Sequence, residues 1–284
     1  EGEENVTVWR DLLSNLSTMS RILLNTSYHH EMQAFTRRLV KPISKKLGWD
    51  PLPGESGLQG MCRATILRTL GTNDDLDTIE EARRRFDAHL EGNLIPADLR
   101  SAVYSSVLSN GDLKTVNKFI DLHDKCDLQE EKMRIASAMG SVTKDELITK
   151  VLNFALSPSV RSQDSVSVIC AVCGSTGTKA SPDMSWQFVK DNWSTIYSRY
   201  SSGFLITRLC KSVAENFATS EDLDDVKQFF AKNPVPAAQR SIQQAIESIE
   251  VNMQWLDRNK DNLKQFLTSL WKNSSPLFNN KRKR

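Results

Sequence analysis

PADLRSAVYSSVLSNGDLKTVNKFIDLH, residues 96–123, decides the fold. Pro96 stands where a first-turn proline belongs, and Leu99, Val103, Val107 and Leu108 follow at helical spacing up to Gly111. A second helix then runs from Leu113 to His123. One helix-turn-helix of this length cannot bury its own apolar face, whereas a stack of such units can, and a stack curves into a concave surface.

The rhythm extends in both directions. Towards the C-terminus, helices are predicted over Leu128–Met139, Lys144–Leu156 with Thr143 as cap, Ser165–Cys173, Ser185–Tyr200, Phe204–Phe217 and Leu223–Lys232 with Ser220 as cap. The stretch Ala237–Trp271 is read as two helices in series. Towards the N-terminus, Asp74 or Asp75 caps a helix that reaches Leu90 and stops at Gly92. Leu58–Leu70 ends at Gly71, read as the residue just past its C-terminus. Gly48 to Glu55, with two prolines and two glycines, is the clearest loop. Before it lies a helix from about Tyr28 to Leu47, which Pro42 is expected to kink or divide. The first apolar stripe carries Val8, Trp9, Leu12, Leu13, Leu16, Met19, Ile22 and Leu23. No alternating run competes, so the chain is expected to be all-α, an α-solenoid or curved superhelix of HEAT- or armadillo-like hairpins. Residues 1–267 form one helical-repeat domain, followed by a basic, disordered tail over 268–284.

Composition narrows the function. With 37 basic and 35 acidic residues the formal net charge is +2, so no basic stripe marks a nucleic-acid binder. No 18-residue apolar run spans a membrane. Five scattered cysteines, an odd number, point to a reducing, cytosolic setting rather than a disulfide framework. The start, Glu1-Gly2-Glu3-Glu4, has neither an initiator Met nor the features of a signal peptide, and is read as a cut from a longer protein. The end, Lys281-Arg282-Lys283-Arg284, reads as a disordered terminus, with a nuclear-import patch or a polyanion contact as alternatives.

Three clusters are candidates for chemistry. His30-Glu31-Met32-Gln33-Ala34 begins like the His-Glu-x-x-His of a zinc peptidase, but Ala34 occupies the second ligand position and His29 points a quarter-turn away. Cys170-Ala171-Val172-Cys173 lies late in an apolar helix without a second ligand pair, which favours core packing. Arg83-Arg84-Arg85 follows Glu80-Glu81, so ion pairs along a solvated face explain it. No phosphate loop or nucleophile elbow is present. On residues alone the chain is a binding or scaffolding domain, with no catalytic and no metal residue of its own.

Several segments resemble the C-terminal region of puromycin-sensitive aminopeptidases, in the gluzincin zinc aminopeptidase family. They include Leu47-Gly48-Trp49-Asp50-Pro51-x-Pro53-Gly54-Glu55, Glu80-Glu81-Ala82-Arg83-Arg84-Arg85-Phe86, and Ala97-Asp98-Leu99-Arg100-Ser101-x-Val103-Tyr104. Gly203-Phe204-Leu205-Ile206-x-Arg208-Leu209 and Trp255-Leu256 continue the match, in order, over about residues 5–267. The resemblance implies a cytosolic enzyme that removes N-terminal residues from peptides, with zinc and the Gly-x-Met-Glu-Asn motif in an upstream catalytic domain of the same polypeptide. It implies for this chain a bowl of helical hairpins that covers that domain, encloses the peptide chamber and limits substrate size. Arg63, Arg100 and Tyr104 match the family pattern. They are candidates for contacting peptide, or for structural hydrogen bonding. Trp49 and Glu55 are candidates for contact with the catalytic domain. The competing reading is an independent interaction scaffold with a HEAT-like concave surface.

Overall fold

The computed structural model describes Glu3 and residues 5–272. Fourteen α-helices and no strand occur among the described residues, in the order α1 (Val6–Ile22), α2 (His29–Leu47), α3 (Gly57–Thr72), α4 (Leu76–Leu90), α5 (Ala97–Ser109), α6 (Leu113–Lys125) and α7 (Gln129–Met139). They continue as α8 (Asp145–Ala155), α9 (Ser162–Cys173), α10 (Ala180–Asp191), α11 (Trp193–Tyr200), α12 (Phe204–Ser212), α13 (Ser220–Lys232) and α14 (Gln239–Lys272). The expected all-α solenoid is what the chain forms. Of the tail, only the first residues are described, as the end of α14; 273–284, with the basic Lys281–Arg284, lie outside the described residues.

The helices pack in two layers. α3, α5, α7, α9 and α12 succeed one another along the inner layer, and α8 with α10 belongs to the outer one, each outer helix being joined to an inner neighbour. Their turns are tied in series. Asn110 donates to Asp74 (3.2 Å), Thr143 Oγ1 to the Ser109 carbonyl (3.0 Å) and Lys144 Nζ to the Gly111 carbonyl (2.9 Å). Thr143 is therefore spent on the neighbouring hairpin rather than on capping α8, whose N-cap is Lys144. α14 is one helix of 34 residues, not two in series. At ~1.5 Å per residue it spans about 50 Å, enough to pack on α12 and α13 and also return to α2. There Phe266 meets Phe35 edge-on at 5.8 Å, and Leu267 joins the core of α1, α2 and α3. The two ends of the solenoid are thus clasped together.

Inner helices approach closely because small residues line their contacts. Gly71 lies inside α3, not beyond it, and glycine is needed there because a Cβ would fall 1.9 Å from Ser106 Oγ of α5. Gly140, after α7, has an ordinary φ of −62°, so only space requires glycine there. A Cβ would come within 2.4 Å of the Ala171 carbonyl carbon and oxygen on α9. Gly→Ala normally stabilises slightly where geometry permits. Here a backbone must move, so Gly140→Ala is expected to destabilise by about 1–3 kcal/mol in urea denaturation. A change under about 0.5 kcal/mol, the range of an unconstrained surface site, would show that α7 and α9 are not locked together.

Candidate functional site: an arginine-lined recess

The inner layer encloses a recess of about 680 Å³, bounded by α1, α3, α5, α7, α9 and the turn after α9. Half of its lining residues are serine or threonine, and its charged residues are three arginines, Arg10, Arg21 and Arg68, with no carboxylate. α3 explains how the sequence builds this face. Cys62, Ile66, Leu67 and Leu70 are buried, while Thr65, Arg68, Thr69 and Thr72 recur at three- and four-residue steps and turn inward to the recess.

The electrostatics are unbalanced. Neither Arg10 nor Arg68 has a hydrogen bond or ion pair among the described residues. The Arg68 guanidinium is open to water yet crowded by the recess walls, and this burial alone pulls its pKa below the usual arginine range. It stays charged nonetheless. Arg21 is anchored by its Nη1 to the Gly174 carbonyl (3.4 Å) and Ser17 Oγ (3.3 Å), while its buried Nε has no partner. Burial lowers its pKa, against the attraction of Glu215. Three guanidinium groups and a wall of hydroxyls suit an anion, above all a carboxylate that accepts charge-assisted hydrogen bonds. Among the described residues no three His, Cys, Asp or Glu side chains gather as a metal ligand set. His30 faces Gln33 (3.2 Å) and His29 faces Ser20 (3.0 Å).

The residues singled out from the sequence lie elsewhere. Arg63 is 2% exposed, gives Nε to the Leu47 carbonyl (3.1 Å) and pairs with both oxygens of Glu55. Those hydrogen bonds hold the Glu55 carboxyl down to about 2, helped by the Leu52 amide. Trp49, on the same loop, is half-buried under the Arg85 guanidinium, 5.0 Å from the ring centre, and Arg85 also pairs with Asp50 (2.8 Å). Two arginines from α3 and α4 thus pin the Gly48–Glu55 loop.

Arg100 and Tyr104 belong to a second cluster. Arg100 Nη1 meets Glu131 Oε2 at 3.0 Å, and Tyr104 donates its hydroxyl to Glu131 Oε1 at 2.8 Å. His89 Nδ1 accepts from the Ile95 amide, which leaves Nε2–H to donate to the Tyr104 oxygen (3.0 Å). Arg134 completes the set on Glu131. None of Arg63, Arg100 and Tyr104 lines the recess. The sequence reading missed Arg10, Arg21, Arg68 and Glu131. The polar stripe Thr65, Arg68, Thr69, Thr72 was the available signal for the first group.

Residues 1–251 match the family described as ERAP1-like C-terminal domain. Among curated proteins, the chain is 35% identical over 237 residues to Aminopeptidase M1 of Arabidopsis thaliana, covering 80% of this chain and 26% of that protein. Aminopeptidase M1-A of Oryza sativa subsp. japonica is 29% identical over 238 residues, with 80% and 26% covered. Glutamyl aminopeptidase of Mus musculus is 26% identical over 275 residues, with 95% and 29% covered. The chain spans about a quarter of the length of these relatives.

Proposed function

Since this chain belongs to the ERAP1-like C-terminal domain family, we propose that it is the non-catalytic C-terminal domain of a cytosolic zinc aminopeptidase of the puromycin-sensitive kind. It closes over a catalytic domain of the same polypeptide and takes the distal part of a peptide into its inner recess. The names of the relatives, Aminopeptidase M1 and Glutamyl aminopeptidase, support the activity. The observation that carries the recess reading is the three arginines without an acid. The zinc and its chemistry belong, in this reading, to the catalytic domain. This chain binds and orients. Confining a peptide between two walls raises its effective concentration at the reacting centre and limits its length.

Within this proposal the peptide carboxylate meets Arg68, with Arg10 and Arg21 flanking it. Arg63, Arg100 and Tyr104 keep the bowl in shape, because their polar atoms already face Glu55, Glu131 and backbone carbonyls. The loop from Trp49 to Glu55 is the edge proposed to meet the catalytic domain. Leu52 on that loop and Leu58 and Met61 at the start of α3 are exposed apolar residues close in sequence, as an interdomain contact needs.

Arg68→Ala in the full polypeptide is expected to raise KM about tenfold for a peptide of eight to ten residues with a free C-terminus, the cost of one charge-assisted contact. A C-terminally amidated peptide and a single aminoacyl fluorophore are expected to respond far less. Steady-state kinetics on the three substrates checks this. An equal effect on all three, or on none, would overturn the recess reading and favour an interaction scaffold.

A further inference from the structure

The recess also holds sulfur. Cys170 lines it, and Cys173, one helical turn further along α9, lies buried behind it. Cys173 Sγ lies within reach of the Ser212 carbonyl of α12 at 3.3 Å and of the Cys170 carbonyl at 3.4 Å. We infer that Cys170 and Cys173 form an oxidisable dithiol, in which Cys170 attacks a hydroperoxide entering the recess and Cys173 then closes the disulfide.

The geometry divides the roles. Cys170 is partly open to the recess and so accepts an oxidant, whereas Cys173 is 2% exposed and closed off from it. The Cys173 thiol beside it and the nearby Arg208 charge favour the Cys170 thiolate, against the cost of burial. A thiolate near a guanidinium and in contact with solvent is the reactive form of cysteine. Burial alone pushes Cys210 up to about 12 and raises Cys62, so neither competes as a nucleophile. In the first step the Cys170 sulfur attacks the O–O bond. An S–O bond forms, the O–O bond breaks, and the departing oxygen leaves as water or alcohol after taking a proton. In the second, Cys173 gives up its proton and attacks the sulfenic sulfur; the S–S bond forms and hydroxide leaves as water. Two thiols lose two electrons in all, and the hydroperoxide gains them.

The pair is placed so that its state is felt by the recess. Between the cysteines lies Ala171, whose carbonyl sits against Gly140 with no spare space. Immediately after Cys173 comes Gly174, whose carbonyl holds Arg21. Closing the disulfide removes Cys173 from Ser212 and twists the last turn of α9, which carries both contacts.

The experiment treats the folded protein with one to a few equivalents of hydrogen peroxide, blocks free thiols and maps the peptides by mass spectrometry. Loss of two hydrogens confined to the segment bearing Cys170 and Cys173 is expected, reversed by a dithiol reductant. Cys173→Ser is expected instead to leave a sulfenic acid on Cys170 that dimedone traps. Amide exchange over 171–177 and 209–213 is expected to quicken on oxidation of the wild-type protein. Retention of both thiols at Cys170 and Cys173, while the half-buried Cys126 is oxidised first, would overturn the inference in the unsubstituted protein, whatever the folding of the variant.

Discussion

Replacing Glu131 by alanine is expected to cost about 3–5 kcal/mol of stability, the cost of breaking a buried ion pair from one side. The carboxylate is 5% exposed and accepts from Arg100, Tyr104 and Arg134. Burial raises its pKa, and those three partners outweigh burial so that it ends below the usual carboxylate value. Its removal leaves Tyr104, wholly buried, with a hydroxyl that has lost its acceptor, and Arg100 with a charge that has lost its counterion. The damage spreads because the cluster joins three helices: His89 on α4, Arg100 and Tyr104 on α5, and Glu131 on α7. Tyr104 also packs edge-on against Phe86 (5.8 Å) and Phe119 (5.3 Å), which stack on each other at 4.3 Å. Urea denaturation is the measurement. Removing the Arg100 and Glu131 charges together in Arg100→Met with Glu131→Leu is expected to cost much less than Glu131→Ala, because Arg134 keeps Glu130 as its partner and no buried charge is left alone. If the double variant is as unstable as the single one, packing and not the charge network holds this joint.

Periodicity made the helices legible but not their partners. In α1 the stripe correctly holds Trp9, Leu13 and Leu16 in the core, yet Val8 and Leu12, counted in the same stripe, are exposed. A stripe wider than one neighbour needs looks the same in sequence as one that is filled. Pro42 leaves α2 as one helix from His29 to Leu47, with Val40 buried before it and Ile43 and Leu47 buried after it. Ser185–Tyr200 divides at Asn192, whose side chain turns back on the Phe188 carbonyl, into α10 and α11. Long-range pairing had no sequence signal at all. Glu131 lies 31 residues from Arg100 in the chain, and no spacing rule links residues on α5 and α7. The recess suffered from the same blindness. A polar stripe on a helix whose other faces are buried reads as a solvated surface, and only stacking reveals that the solvent there is enclosed on several sides. Arg68 was therefore visible as a charge and invisible as a site.

Stability is expected to fall as the pH drops from about 6.5 to about 4, by up to about 3 kcal/mol, through His29. Its ring is buried between α1 and the turn after α9, with Nε2 3.0 Å from Ser20 Oγ and the Thr176 backbone close by. Burial first, and then the neighbouring His30, bring its pKa down to about 4, against the pull of Thr176 and Asp74. The unfolded chain takes a proton on this histidine near its ordinary pKa of about 6.5. Between those two values the unfolded state binds more protons than the native one, so acid favours unfolding. The carboxylates act in a lower window. Glu55, held at about 2 by Arg63, contributes stability that is lost only as the pH falls below its ordinary range towards 2. The two windows separate the groups experimentally. Unfolding free energies at pH 7, 5.5 and 4.5 are expected to decline in the wild-type protein. In His29→Gln most of that decline is expected to vanish, the rest belonging to His89, which burial also lowers. An undiminished slope in the variant would remove His29 from the account. The position of the ring gives the effect a direction. Ser20, Arg21 and Thr176 all line the recess, so an opening driven by protonation of His29 loosens the wall against which Arg21 is held.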